Sequence, residues 1–105
     1  MNTQQRLHAQ FRKQGFTEEW TGGNCRAWKK DIGAYSLWIS DEDAGLGDSF
    51  DESYGLVIEA KDVDHNEPLA LASGDFHTVM RFAREAVADM GAFIAAHPAS
   101  GDPNA

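Results

Sequence analysis

Cys25-Arg26-Ala27-Trp28-Lys29-Lys30-Asp31-Ile32-Gly33-Ala34-Tyr35-Ser36-Leu37-Trp38-Ile39-Ser40 is the stretch that decides the fold. From Cys25 to Lys30 side chains alternate, with Cys25, Ala27 and Lys29 on one side and Arg26, Trp28 and Lys30 on the other. Ala34 to Ser40 does the same, setting Tyr35, Leu37 and Ile39 against Ala34, Ser36, Trp38 and Ser40. Two runs of period two joined by Asp31-Ile32-Gly33, whose glycine permits positive φ, predict an antiparallel hairpin.

Working toward the N-terminus, Thr21-Gly22-Gly23-Asn24 reads as a turn after Trp20. Before it, Thr3 is placed to cap a helix reaching about Gln14, with Leu7 and Phe11 on one face. Gly15 then falls at the left-handed C′ position, with Phe16 at C″ and Phe11 at C3, the apolar pair of a Schellman ending.

Toward the C-terminus, Asp41 to Ser53 is acidic, carries Gly45 and Gly47 and lacks periodicity, so it reads as a long exposed loop. Tyr54 to Lys61 is a strand with Leu56, Ile58 and Ala60 inward. Asp62-Val63-Asp64-His65-Asn66-Glu67 has turn chemistry, and Pro68 to Ala72 returns as a short edge strand. Ser73-Gly74-Asp75 starts one last helix that Pro98 stops. Phe76, Val79, Met80, Ala83, Val87, Met90 and Ile94 supply its apolar stripe, and Phe82, Ala86 and Phe93 widen it. Its Ala-rich outer end (Ala88, Ala92, Ala95, Ala96) is suited to pack on the first helix or on a second subunit, so monomer and homodimer both stay open.

The order α-β-β-β-β-α gives an α+β fold: a four-stranded antiparallel sheet with an N-terminal and a longer C-terminal helix on one face, in two layers. Residues 1–98 form a single domain, and 99–105 a disordered tail. Trp28 and Trp38 sit in adjacent strands, read as on the side opposite Leu37 and Ile39. If both point to the uncovered face, they make a pair flanked by Arg26 and Lys30. The burial habits of aromatics favour one or both covering a core edge or lying under the long loop.

Charge is unevenly distributed. Residues 41–75 contain eleven carboxylates and one cation, Lys61, for a local charge of −10, against +3 for residues 1–40 and −1 for 76–105. The net −8 repels nucleic acid and anionic lipid. A basic partner is the complement. A hydrophobic content of 42% supports a real core rather than a disordered acidic chain. The single cysteine, Cys25, excludes an internal disulfide framework and suits a reducing cytoplasm, while the N-terminus lacks a signal-peptide pattern.

Three constellations bear on chemistry. Asp41, Asp43 and Glu52 fall at positions 1, 3 and 12 of an EF-hand-like loop, which would make a small divalent-metal module. Gly45 at position 5 and Leu46 at position 6 break that pattern. Cys25 with His77 as base and Asp75 as orienter would supply nucleophilic catalysis, but no nucleophile elbow surrounds Cys25, and a structural thiol explains it better. No histidine pair has metal-ligand spacing, and the glycines form no phosphate loop. The expectation is a non-enzymatic protein without a cofactor. Its binding surface is Asp41, Glu42, Asp43, Asp48, Asp51 and Glu52 on the loop, with Asp62, Asp64 and Glu67 on the turn.

Gly22-Gly23-Asn24-Cys25-Arg26-Ala27-Trp28, followed by Leu37-Trp38-Ile39-Ser40-Asp41-Glu42-Asp43-Ala44-Gly45-Leu46, resembles small uncharacterised acidic proteins of phages and bacterial mobile elements. The resemblance covers about residues 15 to 72 and implies no catalytic residues. It implies a setting in which small acidic proteins inhibit host machinery, anti-CRISPR proteins and other nucleic-acid mimics among them. The partner would then be a basic host protein or a nucleic-acid-binding complex.

Overall fold

The computed structural model describes residues 1–61 and 67–99. Helix α1 (Thr3–Lys13) starts one residue earlier than its sequence suggests. Asn2, not Thr3, is the cap: its side-chain oxygen accepts the Gln5 N–H at 2.8 Å, and Gln5 Oε1 accepts the Asn2 N–H at 2.9 Å. This reciprocal capping box satisfies two amides that the helix cannot. The far end is the expected Schellman turn. Gly15 has φ 90°, Phe16 N–H bonds the Phe11 carbonyl and Gly15 N–H the Arg12 carbonyl, each at 3.0 Å. The Phe11 and Phe16 rings meet edge to face at 6.0 Å, clipping the helix to the strand that follows.

Five strands follow, not four: β1 (Thr17–Gly22), β2 (Cys25–Ile32), β3 (Tyr35–Asp41), β4 (Tyr54–Ala60) and β5 (Ala70–Gly74). They form one antiparallel meander in chain order. The unforeseen strand is β1, and every residue in it is exposed. With neither face buried it leaves no alternation to read. β1 and β2 are joined through Gly23-Asn24, and β2 and β3 through Gly33-Ala34. Gly23 and Gly33 take φ of 55° and 57°, as the first position of a tight two-residue hairpin demands.

The two edges of the sheet differ. β5 lies two residues later than Pro68–Ala72, and its outer side is covered by the chain's own end. Leu71 N–H bonds the His97 carbonyl, Ala99 N–H bonds the Leu69 carbonyl, and Pro98 bridges Ala70. Ala99 is therefore held against the sheet; residues 100–105, most of the expected tail, lie outside the described residues. β1 is guarded instead by charge, Glu18 and Glu19, and by a register shift between Trp20 and Gly22.

The single C-terminal helix divides in two. α2 (Phe76–Ala88) is capped by Asp75, whose Oδ1 accepts the Thr78 N–H at 2.9 Å, and α3 (Met90–Ala96) by Asp89, whose Oδ1 accepts the Ala92 N–H at 3.0 Å. Asp89 has φ −154° and ψ 90°, so the chain leaves helical geometry there. A short acid that prefers a cap, two residues before Gly91, outcompetes the apolar periodicity running across it. The stripe Phe76, Val79, Met80, Ala83 and Ala86 is buried as expected, but Val87 stays 43% exposed beside the break.

Both long helices lie on one face of the sheet, giving two layers. Phe11 of α1 stacks on Trp28 at 4.9 Å and receives Phe76 of α2 edge-on at 5.2 Å. Leu37, Ile39, Leu56 and Ile58 complete the core beneath them. The tryptophans point to opposite faces. Trp28 pairs with Ile39 and is fully buried, whereas Trp38 pairs with Lys29 and Val57 on the uncovered face. No described helix is long and apolar enough to cross a membrane.

Candidate functional site: the acidic end of the sheet

Between β3 and β4 the chain makes its longest connection, and the loop is more built than its composition suggests. Asp41 starts it: Oδ1 accepts the N–H of Asp43 at 2.9 Å and of Gly45 at 2.8 Å, while the Asp41 N–H donates to the Gly45 carbonyl. Ala44 takes φ 57° to close this turn and gives its carbonyl to the Arg26 N–H. Next, Leu46 and Gly47 are buried. Trp28 Nε1–H donates to the Leu46 carbonyl at 3.0 Å, and His8 Nε2–H to the Gly47 carbonyl at 2.8 Å. Tyr54 O–H donates to the Ser49 carbonyl at 2.6 Å, and the Phe76 N–H to the Phe50 carbonyl at 3.2 Å. A loop expected to be long and exposed is pinned to α1, β2, β4 and α2. Its polar backbone explains why buried Trp28 sits here: the indole N–H finds its acceptor in the loop.

What the pinned backbone leaves outside is carboxylate. Asp41, Glu42, Asp43, Asp51 and Glu52 line one concavity of about 400 Å³, and Asp48 stands beside it with Oδ1 accepting from Gln4 Nε2 at 2.6 Å. Among the described residues, no Lys, Arg or His nitrogen lies within 4.0 Å of any of these carboxylates. Arg26, the cation that borders the loop, is engaged with Glu18. It lines a neighbouring depression with Asp41 and Asp48.

Burial, with crowded charge behind it, raises the pKa of Glu52 and of Tyr54. Partial burial, with the Asp41 and Asp48 charges behind it, lifts the Glu52 carboxyl above its ordinary value, although Glu52 Oε1 also accepts the Asp48 N–H at 3.3 Å. Burial, then the charges of Glu52, Asp41 and Asp48, pushes the Tyr54 phenol well above its ordinary value. That shift favours the protonated phenol, which donates to the Ser49 carbonyl.

Of the acids expected to act together, the described ones divide into the loop group and Glu67. The Asp41–Glu52 loop is at the Tyr54 end of β4, while Glu67 lies beyond its Ala60 end, a strand length of about 20 Å away. Asp62 and Asp64 lie outside the described residues. Asp75, capping α2 next to Phe50, sits instead at the loop's end of the sheet. Proximity across the sheet, not nearness in sequence, selects it.

The metal and nucleophile constellations do not assemble. Among the described residues no three His, Cys, Asp or Glu side chains are grouped to hold a metal ion. Asp41, the would-be first ligand, spends Oδ1 on its own backbone. Cys25 shares the parity of Ala27 and Lys29, away from the helices, whereas Asp75 and His77 open α2 on the other face. His77 stacks on Phe50 at 5.9 Å.

No protein-family model, curated protein or solved structure matches this chain.

Proposed function

We propose that the chain is an acidic binding protein whose 41–53 loop engages a basic surface on a partner protein. The observation that carries the reading is the concavity lined by Asp41, Glu42, Asp43, Asp51 and Glu52 without a described counter-ion, on a loop whose backbone is fixed. Like charges at this density raise one another's energy, and a cationic partner relieves that cost while releasing counter-ions. The rigidity also matters: little conformational entropy is lost on docking.

The narrower form of the proposal follows the resemblance to mobile-element proteins, with the partner a lysine- and arginine-lined part of host machinery, as for an anti-CRISPR inhibitor. Charge density decides between shapes of target. A duplex as long as the 25 Å short axis carries about 15 phosphates. The six loop acids amount to less than half of that, which favours a compact basic epitope over a duplex-length channel.

The test is a triple reversal, Glu42→Lys, Asp43→Lys and Asp51→Lys, which spares Asp41, Asp48 and Glu52 because those side chains accept loop or helix hydrogen bonds. Affinity capture from host extract at low salt should recover basic proteins with the wild type and lose them with the variant. Equal recovery by both, or recovery of none by either, counts against the reading.

A further inference from the structure

Helices α1 and α2 do not close over the sheet, and the gap between them is a groove of mixed lining, with Gln10, Gln14 and His77 among its apolar residues, on the face opposite to the one Trp38 occupies. One compartment of about 220 Å³ has Phe16, Met80, Ala83 and Val87 in its walls, and an adjoining one of about 410 Å³ reaches Phe50 and Phe76. They share Gln14, Met80 and Arg84, so they form one cleft. It runs along α2 from His77 to Val87, about 15 Å at the helical rise.

Its charge is opposite to that of the molecule. Among the described residues no acidic side chain lines either compartment, whereas Lys30 and Arg84 both do. Among the described residues neither cation has a carboxylate within salt-bridge distance, while Arg12, Arg26, Lys29, Lys61 and Arg81 all do. Lys30 Nζ gives one hydrogen to the Gln14 carbonyl at the end of α1, 2.7 Å away, and sits over the Phe16 ring. Two of its three donors remain for a ligand.

We propose that this groove binds a small amphiphilic carboxylate: a short unbranched apolar chain against Val87 and Ala88, the exposed apolar side chains of the lining, with its head group between Lys30 and Arg84. A depression that sets exposed apolar side chains beside a small number of charged donors is a usual form of small-ligand site. A neutral apolar body would leave both cations unanswered, and a cationic one would be repelled by them. The site is separate from the acidic loop, and its occupancy neither requires nor replaces a basic partner.

Amide-resolved NMR titration of the full chain with hexanoate, octanoate and decanoate tests this. Shifts should gather on residues 14–16, 30 and 76–88, and affinity should rise about threefold to fourfold for each buried methylene. Decylammonium should bind at least tenfold more weakly than decanoate. Arg84→Glu, on an exposed position whose loss leaves the core intact, should weaken decanoate about tenfold; Lys30→Met is a second variant, with its fold checked by melting. Equal binding of decanoate and decylammonium overturns the proposal. So do shifts centred on Trp38, or an acidic amphipathic peptide that occupies the groove when decanoate does not.

Discussion

Gly47 shows how much of the loop depends on single residues. It is buried at φ 90°, and a Cβ there would lie 2.2 Å from the Tyr54 hydroxyl oxygen, with the backbone in a region that L side chains avoid. Gly47→Ala should therefore cost about 1–3 kcal/mol for the backbone, and more for displacing Tyr54 from Ser49, as read by urea denaturation. A second prediction concerns Glu52. Its folded pKa is raised, so the native state holds a proton more tightly than the unfolded one. Stability from this group is therefore greatest at low pH and declines as pH rises through the window above the ordinary glutamate value. Glu52→Gln keeps the oxygen that accepts the Asp48 N–H and removes the titration. Its denaturation midpoint should be at least as high as wild type at neutral pH, with a flatter fall between acid and neutral pH. Asp75 works in the other direction, because bonds from Thr78 lower its pKa, so its contribution is present above the ordinary aspartate value and lost on acidification below it. The two windows lie on opposite sides and are separable in one pH series. The Glu52 shift was not legible in the sequence, because it depends on neighbours that only the folded loop supplies, whereas the Asp75 shift comes from Thr78, three residues along the chain at the start of α2.

Among the elements, what could be read depended on whether a face was buried. The α1 ending was legible because Phe11, Gly15 and Phe16 encode it locally, and the β2–β3 hairpin because Leu37 and Ile39 alternate with polar partners. β1 was hidden because Thr17, Glu18, Glu19 and Trp20 are all exposed, and nothing in their order separates a strand from a loop. Trp28 was ambiguous for a different reason. Its parity within β2 was clear, but which face of β2 matched Leu37 depended on a register, Trp28 to Ile39, that the turn alone sets. The α2–α3 break had a signal, Asp89 before Gly91, that the strength of the apolar stripe concealed. Asp89→Ala should cost about 1 kcal/mol in denaturant melts through loss of the cap, and it removes the local reason for α3 to turn back so that Phe93 and His97 meet Phe82. A cost near zero would mean that packing of Phe93 alone sets the break.

For the whole molecule, topology rather than composition determines where charge accumulates. Composition put −10 on residues 41–75, but a meander sends alternate connections to opposite ends, so the 41–53 loop and Glu67 part company while Asp75 joins the loop. The surface that results is smaller and better fixed than the acid count implied. If it is the binding surface, association with a basic partner should slow by tenfold or more in the Glu42→Lys, Asp43→Lys, Asp51→Lys variant and should depend less steeply on salt than wild type. Reversal of Glu67 should change little. The most direct measurement is amide-resolved NMR of the chain titrated with a lysine- and arginine-rich peptide at low and at high salt. The account predicts shifts concentrated on residues 41–53 and 75 that vanish at high salt, and it is contradicted by shifts spread around the surface or gathered near Glu67.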